Sequence, residues 1–214
     1  AIEAFRGRDR VDVFILFPDG RVSDVQRRQM TTAGENNVHA IALDGNFDDC
    51  QAIVKGLFAD GQFRRRVALS GVNSINWARI VAQVVYYFTS AVALGAPYRP
   101  VSFTVPTGNF GDIYAGYAAK RMGLPVADLV IATNINDILA RTLATGRYEL
   151  GGVEATVSPS MDIQVSSNFE RALFEACDRD AEAVGRLMAA LGQSRAFTVE
   201  PEPLAAIRAD FDAG

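Results

Sequence analysis

Seven residues, Pro106-Thr107-Gly108-Asn109-Phe110-Gly111-Asp112, stand between a β-branched and aromatic run at 101–105 and an alanine-rich helical stretch at 113–122. The pattern predicts a strand that turns directly into a helix. Two glycines three apart allow a tight bend and close approach of a ligand to the backbone, while the helix offers unpaired N–H groups and the positive end of its dipole. Such a junction suits an anion, phosphate above all. It is not a nucleotide fingerprint: no third glycine stands in GxGxxG register, and no lysine follows the second glycine. By itself the turn either holds an anion or only shapes a βα connection.

The 214 residues allow one large or two small domains, and 49% apolar residues with a net charge of -4 describe a globular chain with a sizeable core. The mildly acidic balance gives no field for nucleic acid or an anionic membrane, and Arg64-Arg65-Arg66 reads as a short solvated patch ahead of a strand. Cys50 and Cys177 form no CxxC, so neither disulfides nor a metal site are expected and a reducing cytoplasm fits. No basic-then-apolar leader stands at the start, and an opening at Ala1 reads as an internal cut. Residues 80–98 carry no charge, but Gln83, Tyr86, Tyr87, Thr89, Ser90 and Gly95 make them too polar for a membrane span; a helix buried on most sides is expected.

Apolar runs at 11–17, 38–43, 67–70, 101–105 and 128–133 read as strands, each followed by helical spacing. Ser23 with Gln26, and Ser167 with Glu170, have capping-box spacing. Gly61 is expected to close the second helix, and Gly123-Leu124-Pro125 to stop the helix behind the central turn. Between 150 and 166 periodicity is lost. The expected fold class is α/β, with mostly parallel twisted sheets, helices on both faces, and ligands at the carboxyl ends of strands. The long helix offers the natural seam: 1–80 as a smaller domain, 81–214 as part of a larger one.

Val105-Pro106-Thr107-Gly108-Asn109-Phe110-Gly111-Asp112 resembles the phosphate-cradling loop of threonine synthases, pyridoxal-phosphate enzymes of the tryptophan-synthase-β type (fold type II). Phe17-Pro18-Asp19-Gly20-Arg21-Val22-Ser23, Phe47-Asp48-Asp49-Cys50-Gln51, Asn73-Ser74-Ile75-Asn76-Trp77-Ala78-Arg79-Ile80 and Ser158-Pro159-Ser160-Met161-Asp162-Ile163 look like that family's long form, in the same order. The resemblance runs along most of the chain. It implies conversion of O-phospho-L-homoserine and water to L-threonine and phosphate with pyridoxal 5'-phosphate, in the cytoplasm, with 81–214 in the cofactor-binding domain.

On that resemblance Gly108, Asn109, Phe110, Gly111 and Asp112 are the cofactor-binding residues, although a carboxylate facing a phosphate is repelled, so Asp112 is expected to cap its helix or hold the loop from behind. Ser74, Asn76 and Arg79 are substrate-side candidates, with capping of the long helix by Asn73 and Ser74 an equal alternative. Trp77 is expected in the core, and His39 in a structural or solvated role. Asn134, Asn136 and Asp137 either border the cofactor or cap a helix. The chemistry needs a Schiff-base lysine. Lys55 and Lys120 both sit inside helical stretches, and neither stands in the family's lysine motif, which is expected ahead of residue 1. No catalytic residue is therefore assigned within the chain, which is expected to be inactive alone. The alternatives are a non-catalytic phosphate or pyridoxal-phosphate module of the same fold and a serine/threonine dehydratase-like enzyme. Oligomeric state is not legible.

Overall fold

The structure is a computed structural model that describes residues 2–73 and 75–213. The chain forms two compact units, 1–72 and 73–214. The long helix belongs wholly to the second, so the division falls ahead of that helix rather than within it.

In the first unit, α1 (Ile2–Phe5) precedes β1 (Val13–Pro18), α2 (Asp24–Thr31), β2 (Val38–Leu43), α3 (Phe47–Ala59) and α4 (Gly61–Arg66). β1 and β2 pair in parallel, from Val13 opposite Val38 to Pro18 opposite Leu43. The capping box at α2 forms as its spacing predicts, with Ser23 Oγ accepting from the Gln26 N–H at 3.2 Å. Gly61, expected to end α3, instead begins α4, because Asp60 Oδ1 accepts from the N–H groups of Gln62 and Phe63 and starts a new helix at once. The strand expected at 67–70 is also absent. The Val67 and Leu69 N–H groups bond back to the Phe63 and Arg64 carbonyls and close α4, so the three arginines lie in a helix. His39 stacks on Phe14 and lies 3.6 Å from Asp12, a partner its sequence position does not suggest.

The second unit contains α5 (Trp77–Ala93), β3 (Val101–Pro106), α6 (Gly111–Arg121), β4 (Val126–Ala132), α7 (Ile138–Thr145), β5 (Arg147–Glu149), a 3₁₀ turn at Pro159–Met161, α8 (Phe169–Ala176), α9 (Ala181–Ser194), β6 (Ala196–Thr198), α10 (Pro201–Asp210) and β7 (Asp212–Ala213). The parallel sheet β3-β4-β7 is its frame, and β5 pairs with β6 antiparallel. On α5, Ile80, Val84, Tyr87 and Ala91 recur at helical spacing and are buried against α6 and the sheet. The opposite side is open: Val81, Val85, Tyr86 and Val92 are 47–63% exposed, so the uncharged helix is buried on one face and not on most sides. Among the described residues no helix is long and apolar enough to cross a membrane. Gly116 lets α6 lie close to α5 and β4, since a Cβ there would come within 2.5 Å of the Tyr87 ring and 2.8 Å of Leu129. That approach brings the first turn of α6 beside the start of α5, where Trp77 meets Tyr114 edge-on at 6.5 Å.

Candidate functional site

Strand β3 ends at Pro106, and the Thr107 N–H extends its pairing with β4 by one more bond, to the Ala132 carbonyl at 3.0 Å. The chain then leaves the sheet. Phe110 takes the left-handed conformation (φ 64°) just before α6; neither Gly108 nor Gly111 has positive φ, so the bend expected of the glycines is made by Phe110. A non-glycine residue there costs about 1–2 kcal/mol. The ring offsets this: it is fully buried and meets Phe169 at 5.4 Å and Phe211 at 4.9 Å, both edge-on.

The loop is held from one side by its carbonyls. Ser166 Oγ donates to the Gly108 carbonyl at 2.6 Å, and the backbone and side-chain nitrogens of Asn168 both donate to the Asn109 carbonyl at 3.0 Å. In a planar trans peptide the N–H points opposite to the C=O, so the Asn109 and Phe110 N–H groups face away from Ser166 and Asn168. The N–H groups of Gly108, Asn109, Phe110 and Gly111 donate to no protein group among the described residues. Four consecutive donors at the start of an 11-residue helix are thus left available to a ligand, and a helix start favours an anion. Asn109 Oδ1 is a buried acceptor with no partner among the described residues, which adds a second polar group for a ligand.

Gly108 is a glycine for a reason other than ligand approach. A Cβ there would lie 3.2 Å from the Met161 Cα and 3.3 Å from the Ile163 side chain, so the segment at 161–163 packs directly against the loop. That segment is fixed by a polar cluster. Asp162 Oδ1 accepts from Asn134 at 2.8 Å, from the Thr156 hydroxyl at 2.7 Å and from Asn136 at 3.3 Å, and Oδ2 accepts from the Thr156 N–H at 2.7 Å. Asn134 and Asn136 are thus spent on the connection at 150–162. Asp137 opens α7 without a side-chain cap and binds Arg141 at 2.7 Å instead.

Asp112 Oδ1 accepts from the Ile113 N–H at 2.9 Å and from the Thr107 hydroxyl, while the Tyr87 hydroxyl donates to the Asp112 carbonyl at 2.7 Å. The carboxylate therefore ties the end of β3 to the first turn of α6. Burial pushes its pKa up from the ordinary 3.8, against the opposing pull of the Thr107 and Ile113 hydrogen bonds and the Arg79 charge. An acid whose folded pKa is raised binds more protons folded than unfolded, so stability falls as pH rises from about 4 to the raised value. Asp112→Asn keeps the acceptor for Thr107 and Ile113 and removes the titration. Unfolding free energies measured from pH 4 to 7 should fall with pH more steeply for the wild type than for Asp112→Asn; parallel curves would contradict this reading.

Of the substrate-side candidates, Ser74 lies outside the described residues. Asn76 is the N-cap of α5, its Oδ1 accepting from the Ala78 N–H at 2.9 Å, and Arg79 follows as an exposed side chain in the first turn. Trp77, expected in the core, is 50% exposed and lies beneath the Arg171 guanidinium, 5.5 Å from its ring centre. Ser166, Asn168 and Arg171 were missed by sequence reasoning. The capping spacing at Ser167 and Glu170 pointed to a routine helix start; α8 instead begins after Asn168, which makes no side-chain cap: its Nδ2 donates to the loop and its Oδ1 accepts from Arg171 Nε. Among the described residues no cluster of three His, Cys, Asp or Glu side chains is placed to hold a metal.

No known protein-family profile matches the chain. It is 55% identical over 212 residues to a threonine synthase of Pseudomonas aeruginosa, covering 99% of this chain and 45% of that protein. It is 51% identical over 224 residues to a threonine synthase of Eremothecium gossypii, covering 99% and 44%. A crystal structure of pyridoxal-phosphate-bound threonine synthase from Brucella melitensis superposes with a TM-score of 0.87 at 68% identity, over all of this chain and 46% of that one. The Escherichia coli threonine synthase structure gives 0.76 at 34% identity, over 99% and 54%. The chain spans less than half the length of these curated relatives and has their α/β fold over that region.

Proposed function

The chain is homologous to the central region of threonine synthases, about half of those proteins' length, and from that premise we propose that the protein containing it converts O-phospho-L-homoserine and water to L-threonine and phosphate in the cytoplasm. One observation carries the reading: four consecutive N–H donors, at 108–111, have no protein acceptor among the described residues at the start of α6, while the Gly108 and Asn109 carbonyls are tied down behind them. These donors hold the phosphate of pyridoxal phosphate, Asn109 Oδ1 takes a further polar contact, and Asp112 braces the loop through Thr107. Bound there, the cofactor supplies an electron sink for carbanion chemistry on an amino-acid substrate. Asn76 and Arg79, with Ser74 beside them in sequence, belong to the substrate side; the exposed guanidinium of Arg79 suits the substrate's anionic groups. The cofactor domain of the complete protein includes the unit 73–214, and with it the 81–214 expected from the sequence, while 1–72 belongs to the smaller domain.

No lysine of this chain serves the cradle. Lys55 is an exposed residue of α3, and Lys120 sits near the far end of α6, about 13 Å along the axis from Gly111, paired at 3.5 Å with Asp210. The 214 residues alone are therefore expected to release no phosphate from O-phospho-L-homoserine when supplied with pyridoxal phosphate, whereas the complete protein does so. Turnover by the 214-residue chain would bring Lys55 or Lys120 into the chemistry. A complete protein that binds the cofactor without turnover would favour a non-catalytic module, and 2-oxoacid release from serine or threonine would favour a dehydratase.

A further inference from the structure

We infer that Arg171 is a positioning residue that joins the cofactor cradle to the substrate-side turn. Its side chain makes two hydrogen bonds to acceptors far apart in sequence: Nη2 donates to the Ile75 carbonyl at 2.9 Å, and Nε donates to Asn168 Oδ1 at 3.1 Å. Ile75 lies in the turn that ends at Asn76, the cap of α5. Asn168 is fully buried and clamps the Asn109 carbonyl with two nitrogens. A continuous chain of bonds thus runs from the Ile75 carbonyl through Arg171 and Asn168 to the peptide whose N–H belongs to Phe110. Arg171 is also steadied by the Trp77 ring beneath it, the first residue of α5. The base of this strut is rigid, because Phe169, one residue after Asn168, packs on Phe110 and stacks on Tyr148 at 5.6 Å.

Only a planar cation with forked donors satisfies both acceptors at once. Lysine keeps the charge over Trp77 but reaches one acceptor at a time, and methionine keeps only the stem. Arg171 touches neither cofactor nor substrate in this account. Its effect is to hold two binding elements, one on α6 and one on α5, in fixed relation, so its loss should appear in the binding of both ligands before it appears in the chemical step.

The inference rests on the cradle and substrate-side assignments above, and its test uses the complete protein. In Arg171→Met, the dissociation constant of pyridoxal phosphate and the KM for O-phospho-L-homoserine should each rise about tenfold, with kcat at saturating cofactor falling less than about threefold. Affinity for pyridoxal, which lacks the phosphate, should be unchanged. Arg171→Lys should recover at most one of the two losses. Both variants folded with wild-type values, or equal losses for pyridoxal phosphate and pyridoxal, would overturn the strut. If Arg171→Met fails to fold, Arg171→Lys decides by itself: a loss in either phosphate-dependent parameter supports the strut, and wild-type values in both overturn it. A wild-type protein that binds the two cofactor forms equally tightly would overturn the cradle reading itself; a wild type that discriminates, with Arg171 variants that match it, would overturn the strut alone.

Discussion

In the complete protein, Gly108→Val is expected to weaken pyridoxal phosphate binding by about a hundredfold or more while leaving pyridoxal binding nearly unchanged. A Cβ at 108 would stand 3.2 Å from the Met161 Cα, a backbone atom held by the Asp162 cluster, so the loop must move rather than its neighbour. Moving it stretches the 2.6 Å bond from Ser166 to the Gly108 carbonyl, and with that bond goes the orientation of the Asn109 N–H. Losing two charge-assisted hydrogen bonds to a phosphate costs roughly 3–5 kcal/mol, which sets the size of the effect. Lys120→Ala is the matched control. Its partly exposed pair with Asp210 is worth at most about 1 kcal/mol and lies at the other end of α6, so its cofactor affinity should equal that of the wild type. Titration of both variants with both ligands, after thermal unfolding has shown each to be folded, measures the difference. Equal losses for pyridoxal phosphate and pyridoxal in Gly108→Val would mean that the loop is structural only.

Phe110 should show an inverted order of substitution. Phe110→Ala removes a fully buried ring from between Phe169 and Phe211 and is expected to cost about 3–5 kcal/mol of folding stability. Phe110→Gly removes the same ring but accepts φ 64° without steric cost, so it should be less damaging than alanine by roughly 1 kcal/mol. At a position with ordinary φ, glycine would be the worse of the two. Urea denaturation of the two variants gives the order directly. If Phe110→Gly proves the less stable, the left-handed turn is not what the buried ring maintains.

The strand and the helix on either side of the turn were legible because each has a local cause: the β-branched run makes β3 and the alanine-rich stretch makes α6. The same holds for the capping box at Ser23, which involves only residues three apart. What escaped the sequence depends on partners distant along the chain. Ser166, Asn168 and Arg171 act on residues 58, 59 and 96 positions away, and nothing in their own neighbourhood marks them. The expected strand at 67–70 failed for a related reason, since a short apolar run becomes a strand only if a partner exists, and here the Asp60 cap committed the chain to α4 first. Phe110 misled in the other direction. Glycine is the usual left-handed residue, and only the aromatic contacts with Phe169 and Phe211 explain why a phenylalanine takes its place. Strands β5, β6 and β7 span only two or three residues each, too few for a period to be read.

The central claim is that residues 108–111 hold the cofactor phosphate through their backbone. A crystal structure of the complete protein with pyridoxal phosphate tests it most directly. The account predicts phosphate oxygens about 2.7–3.2 Å from the backbone nitrogens of this segment, with the Gly108 and Asn109 carbonyls still bonded to Ser166 and Asn168. A phosphate bound elsewhere, with these four N–H groups turned to water or to other protein atoms, would contradict it.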